Sequence, residues 1–345
     1  MVALPARPVG TVGVAERLVG AGQRRLSATS AAMFALVAAI WASSLLLVGP
    51  LGYALGLLAF HAGVAGLLLV SAAWTASGAL MLSRPVAARL GHVLFTVRRP
   101  RREELQRIRP LWQQVCAHAA TDPDRYLLRI ETSERLNAFA MGGHLVALTQ
   151  AALALPDDML AAVLAHELGH HRQLHPVATA LGWWYRLPFL AADRLLRAAR
   201  RAVRALRHAF AVLHERATRI SGGASPLHGA LGVLGLLLVL GALVALTATL
   251  GLALFAVWLP LALLVRISLL VSAALSRAAE YAADRHAVDL GFGTGLARVL
   301  ELVDAGERAT PRPRGLAALT RTHPSCRARI DAIRRRPAGA RPAPV

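Results

Sequence analysis

Three long stretches without Asp, Glu, Lys or Arg constrain this chain more than any other feature. The first spans 31–48 and ends at a Gly-Pro-Leu-Gly turn signal at 49–52, and a second apolar run follows from 53 to about 82. Each run is long enough to cross a hydrocarbon core of about 30 Å as a helix. The third, 227–265, is too long for one ordinary span, so we expect two crossings or a re-entrant hairpin that turns near 247–251. These runs predict a mainly α-helical membrane protein with about four transmembrane helices.

The charged residues support this topology. All 39 basic residues are arginine, the formal net charge is +20, and the arginines cluster between the apolar runs. Such clusters mark the cytoplasmic side of membrane proteins, where they also meet anionic lipids. Both flanks of the first two spans are therefore expected in the cytoplasm, and nucleic acid is not expected as a partner. We expect no cleaved signal peptide, because the first run lies deep in the chain and leads into a second span, and the two distant cysteines suggest no disulfide.

The apolar runs divide the chain into five parts. These are an N-terminal region with two transmembrane helices, a first polar part, a transmembrane hairpin, a second polar part and a disordered tail, at 1–83, 84–226, 227–265, 266–334 and 335–345. Strand-like segments occur in the first polar part at 126–131, 137–141 and 144–148. The last two are joined by Gly142-Gly143, a hairpin signal. An acidic first turn at 156–158 then predicts a helix from Met159 to about Gln173.

That helix carries His166, Glu167 and His170 in a His-Glu-x-x-His pattern. Histidines four residues apart project from one helix face, so both imidazoles can bind one zinc ion. Glu167 is rotated by about 100° from His166, which lets its carboxylate reach a water on the metal rather than the metal itself. Zinc lowers the pKa of such a water to about 7, and the carboxylate can pass its proton to a leaving amine. An ordinary amphipathic helix explains the pattern less well, because 160–165 is almost wholly apolar.

A catalytic zinc needs a third protein ligand. In the metzincin pattern this is a histidine at position 176, but the chain has Pro176, and His175 is one residue out of register. The intramembrane site-2 pattern takes an Asp from an Asp-Gly motif, which the sequence lacks. The gluzincin pattern takes a Glu followed four residues later by an Asp, as in Glu280 and Asp284. Glu280 would bind zinc and Asp284 would hold the free ring nitrogen of His166, unless both are solvent-facing partners of nearby arginines.

Four sequence blocks cover about 125–335. They are Asn137 to Ala140, His166 to His170, Ser276 to Asp284, and Thr322-His323-Pro324 followed by Arg329-Ile330. In this order they resemble the membrane metallopeptidases of the HtpX and CAAX prenyl protease type. The resemblance implies a zincin-like α+β catalytic domain and one Zn²⁺ per chain, bound by His166, His170 and Glu280. It also implies that Glu167 is the general base.

Further site residues follow from the same resemblance. His323 and Arg329 would lie near the cleft and hold the oxyanion or the substrate backbone, unless they are a helix-capping histidine and a surface arginine. Asn137, Ala138 and Phe139 would lie at a strand edge to which an extended peptide can add. Two departures leave the substrate and its route open: Pro324 is followed by serine where the family often has a second proline, and the basic segment 186–219 is longer than the pattern requires.

The resemblance implies a multi-pass protein of a bacterial-type inner membrane that cuts membrane or misfolded proteins at the cytoplasmic face. Its partners would be a polypeptide substrate and a bilayer with anionic lipids, with no specific protein partner indicated. An inactive membrane sensor or scaffold and a CAAX-type processing peptidase are alternatives, and an intramembrane protease fits less well. Because His166 and Glu280 must meet at one metal, the chain between them must cross the membrane an even number of times.

Overall fold

The structure, a computed structural model, describes residues 27–220, 226–307 and 321–336. The described chain is mostly helical, with one small sheet. Ten helices are described, α1 to α10 in chain order: Ala28–Phe60, Gly63–Leu80, Arg84–Phe95, Arg102–His118, Gln150–Leu153, Asp157–Arg172, His175–Ile220, Pro226–Asp289, Gly293–Glu307 and Cys326–Arg334. The four strands, β1 to β4, are Val97–Arg98, Leu127–Glu131, Ala138–Met141 and Leu145–Thr149.

The turn between the first two spans does not lie at 49–52, and that prediction is wrong. α1 continues through Pro50 to Phe60, and the chain turns at His61, whose φ is 51°. The physical reason lies in the packing of α1 on α2 beyond the predicted turn. A Cβ on Gly56 would lie 2.6 Å from the Cα of Gly66 and one on Gly52 would lie 2.8 Å from the Gly66 carbonyl oxygen. This close approach of small residues holds the two helices together up to the later turn.

The third apolar run also differs from expectation. No turn interrupts it near 247–251, because α8 is one helix from Pro226 to Asp289. Thr249, which lies in the predicted turn, fits the helix instead. Its hydroxyl donates to the Ala245 carbonyl one turn earlier. In the described part of the chain, three segments are long and apolar enough to cross a membrane: Ala28–Phe60, Gly63–Leu80 and Ala262–Asp289. The predicted count of about four spans is not confirmed.

The sheet has the strand order β1-β2-β4-β3, with β3 at one edge. β3 and β4 form the predicted antiparallel hairpin, and Met141 pairs with Leu145 across it. Gly142 and Gly143 make its turn with φ values of 58° and 81°, a region that favours glycine. β4 pairs in parallel with β2, and all five of its residues are buried. The hairpin therefore leaves β3 at one edge of the sheet, in contact with α6.

One apolar core joins the sheet to α4, α6, α9 and α10. Ile130 of β2 and Leu160, Leu164 and Leu168 of α6 are fully buried in it. Burying a side chain of this size contributes roughly 1.5–3 kcal/mol relative to leaving it exposed. The core thus fixes α6 through apolar residues that precede the His-Glu-x-x-His motif and through Leu168 within it.

Several expectations fall on parts of the chain outside the described residues. These are the arginines before the first span and the end of the tail at 337–345. The division into five parts stays a prediction.

Candidate metal centre

The catalytic helix predicted from the sequence is α6, Asp157–Arg172. It begins after Pro156, and its first turn carries Asp157 and Asp158, which complement the positive end of the helix dipole. Every residue from Met159 to His171 is buried. His166, Glu167 and His170 are 7%, 4% and 6% exposed, so these polar groups need partners within the protein or a bound ion.

α8 supplies the facing carboxylates. α6 and α8 cross in close contact at Gly169, where an added Cβ would lie 2.9 Å from the Cα of Ala283. Glu280 and Asp284 stand one turn apart on α8 and are 3% and 2% exposed. Their burial is inconsistent with the solvent-facing alternative. The small residues Gly169 and Ala283 bring Glu280 to the two histidines.

Three ligand atoms converge at one point. His166 Nε2 lies 3.2 Å from His170 Nε2 and 3.6 Å from Glu280 Oε2, while His170 Nε2 lies 3.3 Å from Glu280 Oε1. Donors bound to a tetrahedral zinc at about 2.0–2.1 Å are about 3.3–3.4 Å apart. The three residues form a buried group that could hold a metal ion. Two imidazoles, one carboxylate and no thiolate fit a catalytic zinc site of the kind that leaves one position open.

The other ring nitrogen of His166 is held by Asp284. Its Nδ1 lies 2.9 Å from Asp284 Oδ1, which leaves Nε2 to face Glu280. This is the arrangement predicted from the Glu280–Asp284 spacing, and such a contact fixes the orientation of a ligating imidazole.

Arg329 of α10 connects the two carboxylates of α8. Its Nε donates to Asp284 Oδ2 at 2.8 Å and its Nη2 to Asp284 Oδ1 at 2.6 Å, while Nη1 lies 2.8 Å from Glu280 Oε2. Its donors are thus directed at Glu280 and Asp284. His323 lies differently: its Nδ1 is 3.0 Å from Glu280 Oε1, and its side chain is 68% exposed. Both residues line the cleft, as expected, but only His323 has a largely open side chain.

A cavity of about 470 Å³ opens over the three ligand atoms. Glu167 lines it, and its Oε2 is buried without a hydrogen-bond partner among the described residues. Burial raises the pKa of the Glu167 carboxyl to about 7. A carboxyl with that pKa is suited to accept and release a proton near neutral pH. Asn137 and the β3 residues Ala138 and Phe139 also line this cavity.

His175 was missed as a site residue by sequence reasoning, which treated it only as a ligand out of register. In the structure it lines the cavity, and its ring centroid lies 5.1 Å from that of His170. The preceding Leu174 has a φ of 57°, which ends α6 and turns the chain into α7. A left-handed φ at a leucine is not a sequence signal, so nothing in the pattern revealed this position.

The fold and the site together define a metallopeptidase with two histidines and one glutamate around the metal position. The comparison with protein families is more specific, since the model of peptidase family M48 matches residues 101–337. This is more than half of the chain, and the protein belongs to peptidase family M48, the family of the HtpX and CAAX protease type. A search of curated proteins found no match.

Proposed function

We propose that the chain is a membrane-bound zinc endopeptidase that hydrolyses peptide bonds of membrane or misfolded proteins at the cytoplasmic face. The observation that carries this proposal is the convergence of His166, His170 and Glu280. Their ligand atoms lie 3.2–3.6 Å apart, at the spacing of a tetrahedral zinc site, with the unpartnered Oε2 of Glu167 in the same cavity.

Glu167 is the general base in this proposal. When bound, zinc would lower the pKa of a water and polarise the scissile carbonyl. Glu167 takes the proton of the attacking water on its carboxylate and delivers it to the nitrogen of the leaving amine. Its burial keeps bulk water away from the carboxylate, so the proton passes between a few fixed positions.

The remaining polar residues hold or complete this centre. Asp284 fixes the tautomer of His166, and Arg329 fixes both Asp284 and Glu280 through three hydrogen bonds or ion pairs. Arg329 therefore acts as a positioning residue. His323 lines the same cavity beside Glu280, and its ring can stabilise negative charge on the carbonyl oxygen of the substrate.

The edge strand β3 provides a binding surface for the substrate backbone. Ala138 and Phe139 lie on β3, directly after Asn137, and all three line the cavity with Glu167. An extended peptide can add to such an edge by main-chain hydrogen bonds, which accept many sequences. This mode suits a protease that cuts unfolded segments.

Membrane insertion is supported by the α1–α2 hairpin. Leu58, Phe60 and Leu69, at or near its tip, are 81%, 79% and 70% exposed. A large exposed apolar surface of this kind marks contact with lipid or protein. α7 and α8 run antiparallel, since His175 lies near Ser276 and Arg186 near Ser268. The chain therefore leaves the metal centre along α7 and comes back to it along α8.

Two other functions stay as alternatives. An inactive sensor would have no use for Glu167, whose buried carboxyl is costly without a partner. A CAAX-type processing peptidase would use the same centre on a narrower set of substrates. No feature of the described structure favours either alternative over the endopeptidase.

The test is zinc content together with cleavage of casein and of a membrane protein by the purified protein. The matched control is Glu167→Gln, which preserves size and removes the base. We expect one zinc in both proteins and loss of cleavage in the variant by a factor of roughly 10² or more. Absence of stoichiometric zinc from the wild type would refute the site, and equal cleavage by the variant would refute the mechanism.

A further inference from the structure

A second cavity lies between α1, α7 and α8. Its volume is about 260 Å³, and its walls are mostly apolar, with Val37 and Ile40 from α1 and Ala178 from α7. Thr322 lines both this groove and the cavity of the metal centre, and none of the proposed metal ligands lines the groove. The groove therefore lies beside the metal centre but outside it.

One charged side chain lines this apolar groove. The Nη2 of Arg186 donates to the Ser268 carbonyl at 3.2 Å and to the Ser272 hydroxyl, but its Nε is buried without a hydrogen-bond partner in the described part of the chain. Burial lowers the pKa of the Arg186 guanidinium, and no described acidic group acts to raise it. Arginine stays charged under these conditions, and no described acidic group neutralises it, so an anion would complement this site.

Aromatic residues beside Arg186 indicate its depth. Trp184 stacks on Trp74 with ring centroids 5.6 Å apart, and Tyr185 meets the same Trp74 edge-on at 5.8 Å. The Tyr185 hydroxyl donates to the Thr75 carbonyl at 2.8 Å, which ties α7 to α2. Tryptophan and tyrosine concentrate at the headgroup level of a bilayer. Arg186 follows these residues directly and is therefore placed at the level of lipid phosphates.

We propose that this groove binds one anionic phospholipid, with its phosphate on Arg186 and part of an acyl chain along the apolar walls. Guanidinium and phosphate form paired charge-assisted hydrogen bonds, and Arg186 is the residue of this groove that can make them. This inference rests on the proposed membrane insertion and not on peptidase activity.

The test measures lipid binding to the purified protein in detergent. Native mass spectrometry, during titration with phosphatidylglycerol or phosphatidylcholine, counts the bound lipid and gives its affinity. Arg186→Gln is expected to weaken phosphatidylglycerol binding about tenfold or more, because a charge-assisted contact is lost. The matched control is Arg194→Gln on the same helix, which removes the same charge from an exposed side chain and should bind as the wild type does.

A second variant tests the apolar part. Leu36 lines the groove and is only partly exposed, so Leu36→Trp fills the space while every charge is kept. Leu36→Trp should weaken phosphatidylglycerol binding as Arg186→Gln does. Its melting temperature in detergent shows whether the variant is folded. If Arg186→Gln and Arg194→Gln lost affinity for phosphatidylglycerol equally, the specific site would be refuted, because general electrostatic attraction to the basic helix would explain the binding. The site would also be refuted if Arg186→Gln bound phosphatidylglycerol as tightly as the wild type does. The same holds if inorganic phosphate displaced the bound lipid as effectively as free lipid does. A protein that stays in solution without detergent would instead refute membrane insertion.

Discussion

Gly169→Ala tests the link between helix packing and the metal centre, because Gly169 has no side chain that could bind a metal. The added Cβ would lie 2.9 Å from Ala283 Cα and 3.1 Å from its carbonyl oxygen. Carbon atoms in contact stay about 3.5–4.0 Å apart, so α6 and α8 must separate by about 0.6 Å or more. Overpacking of this kind costs about 1–3 kcal/mol of stability.

The same displacement moves Glu280 away from His166 and His170. Ligand distances in a zinc site hold to within about 0.2 Å, so a shift of about 0.6 Å is large on that scale. We expect zinc affinity to fall at least about tenfold, which is the loss typical when a residue that hydrogen-bonds a metal ligand is removed. The assay is competition with a fluorescent zinc chelator, with thermal unfolding followed by circular dichroism to confirm that the variant is folded.

The matched control is Gly295→Ala. Its added Cβ would lie 2.6 Å from the Asp158 carbonyl oxygen and 3.1 Å from Ala162 Cβ, so it overpacks the same helix α6 at its other end. Asp158 precedes His166 by eight residues, about 12 Å along the helix. This variant should lose stability yet bind zinc within about twofold of the wild type. Wild-type zinc affinity in folded Gly169→Ala, or an equal loss in both variants, would refute the reasoning.

Three further predictions concern single contacts. Asp284→Ala should weaken zinc binding about 10–100-fold in the chelator assay, because the His166 imidazole loses its anchor; unchanged affinity would contradict this role. Cys116 is fully buried, and burial raises the pKa of its thiol to about 12. It should therefore resist alkylation at pH 8 until the protein unfolds, and labelling of the native protein would refute this prediction. The hydrogen bond from Arg98 lowers the pKa of Glu104 to about 2 in the folded protein. The contact therefore contributes its full stabilisation of the folded state above pH 4.5, and this contribution is lost as the pH falls through about 2. Glu104→Gln should therefore lower the melting temperature at pH 7 and not at pH 2, and an equal effect at both would contradict the assignment.

Local patterns predicted the parts of the site that lie on regular elements. Four-residue spacing placed His166 with His170 and Glu280 with Asp284, and the glycine pair placed the β3–β4 turn. These features depend only on helix and hairpin geometry, which the sequence specifies directly. Family resemblance added the order of the blocks and placed His323 and Arg329 near the cleft.

The contacts between elements were not predictable in the same way. The turn at His61 follows from glycine packing between α1 and α2, and no local signal outweighed the Gly-Pro-Leu-Gly sequence before it. His175 enters the cavity because Leu174 adopts a left-handed φ. Arg329 was expected to contact substrate, whereas its donors meet Glu280 and Asp284, a pairing that depends on how α10 packs on α8. Each of these depends on tertiary packing rather than on sequence spacing.

X-ray absorption at the zinc edge of the purified protein tests the central claim most directly. Two imidazole nitrogens and one carboxylate should give a first shell of light atoms only, at about 2.0–2.2 Å, with one zinc per chain. Glu280→Ala should lose that zinc while the protein stays folded. A sulfur at about 2.3 Å, which only a cysteine would supply, or full zinc retention by Glu280→Ala, would contradict a centre built from His166, His170 and Glu280.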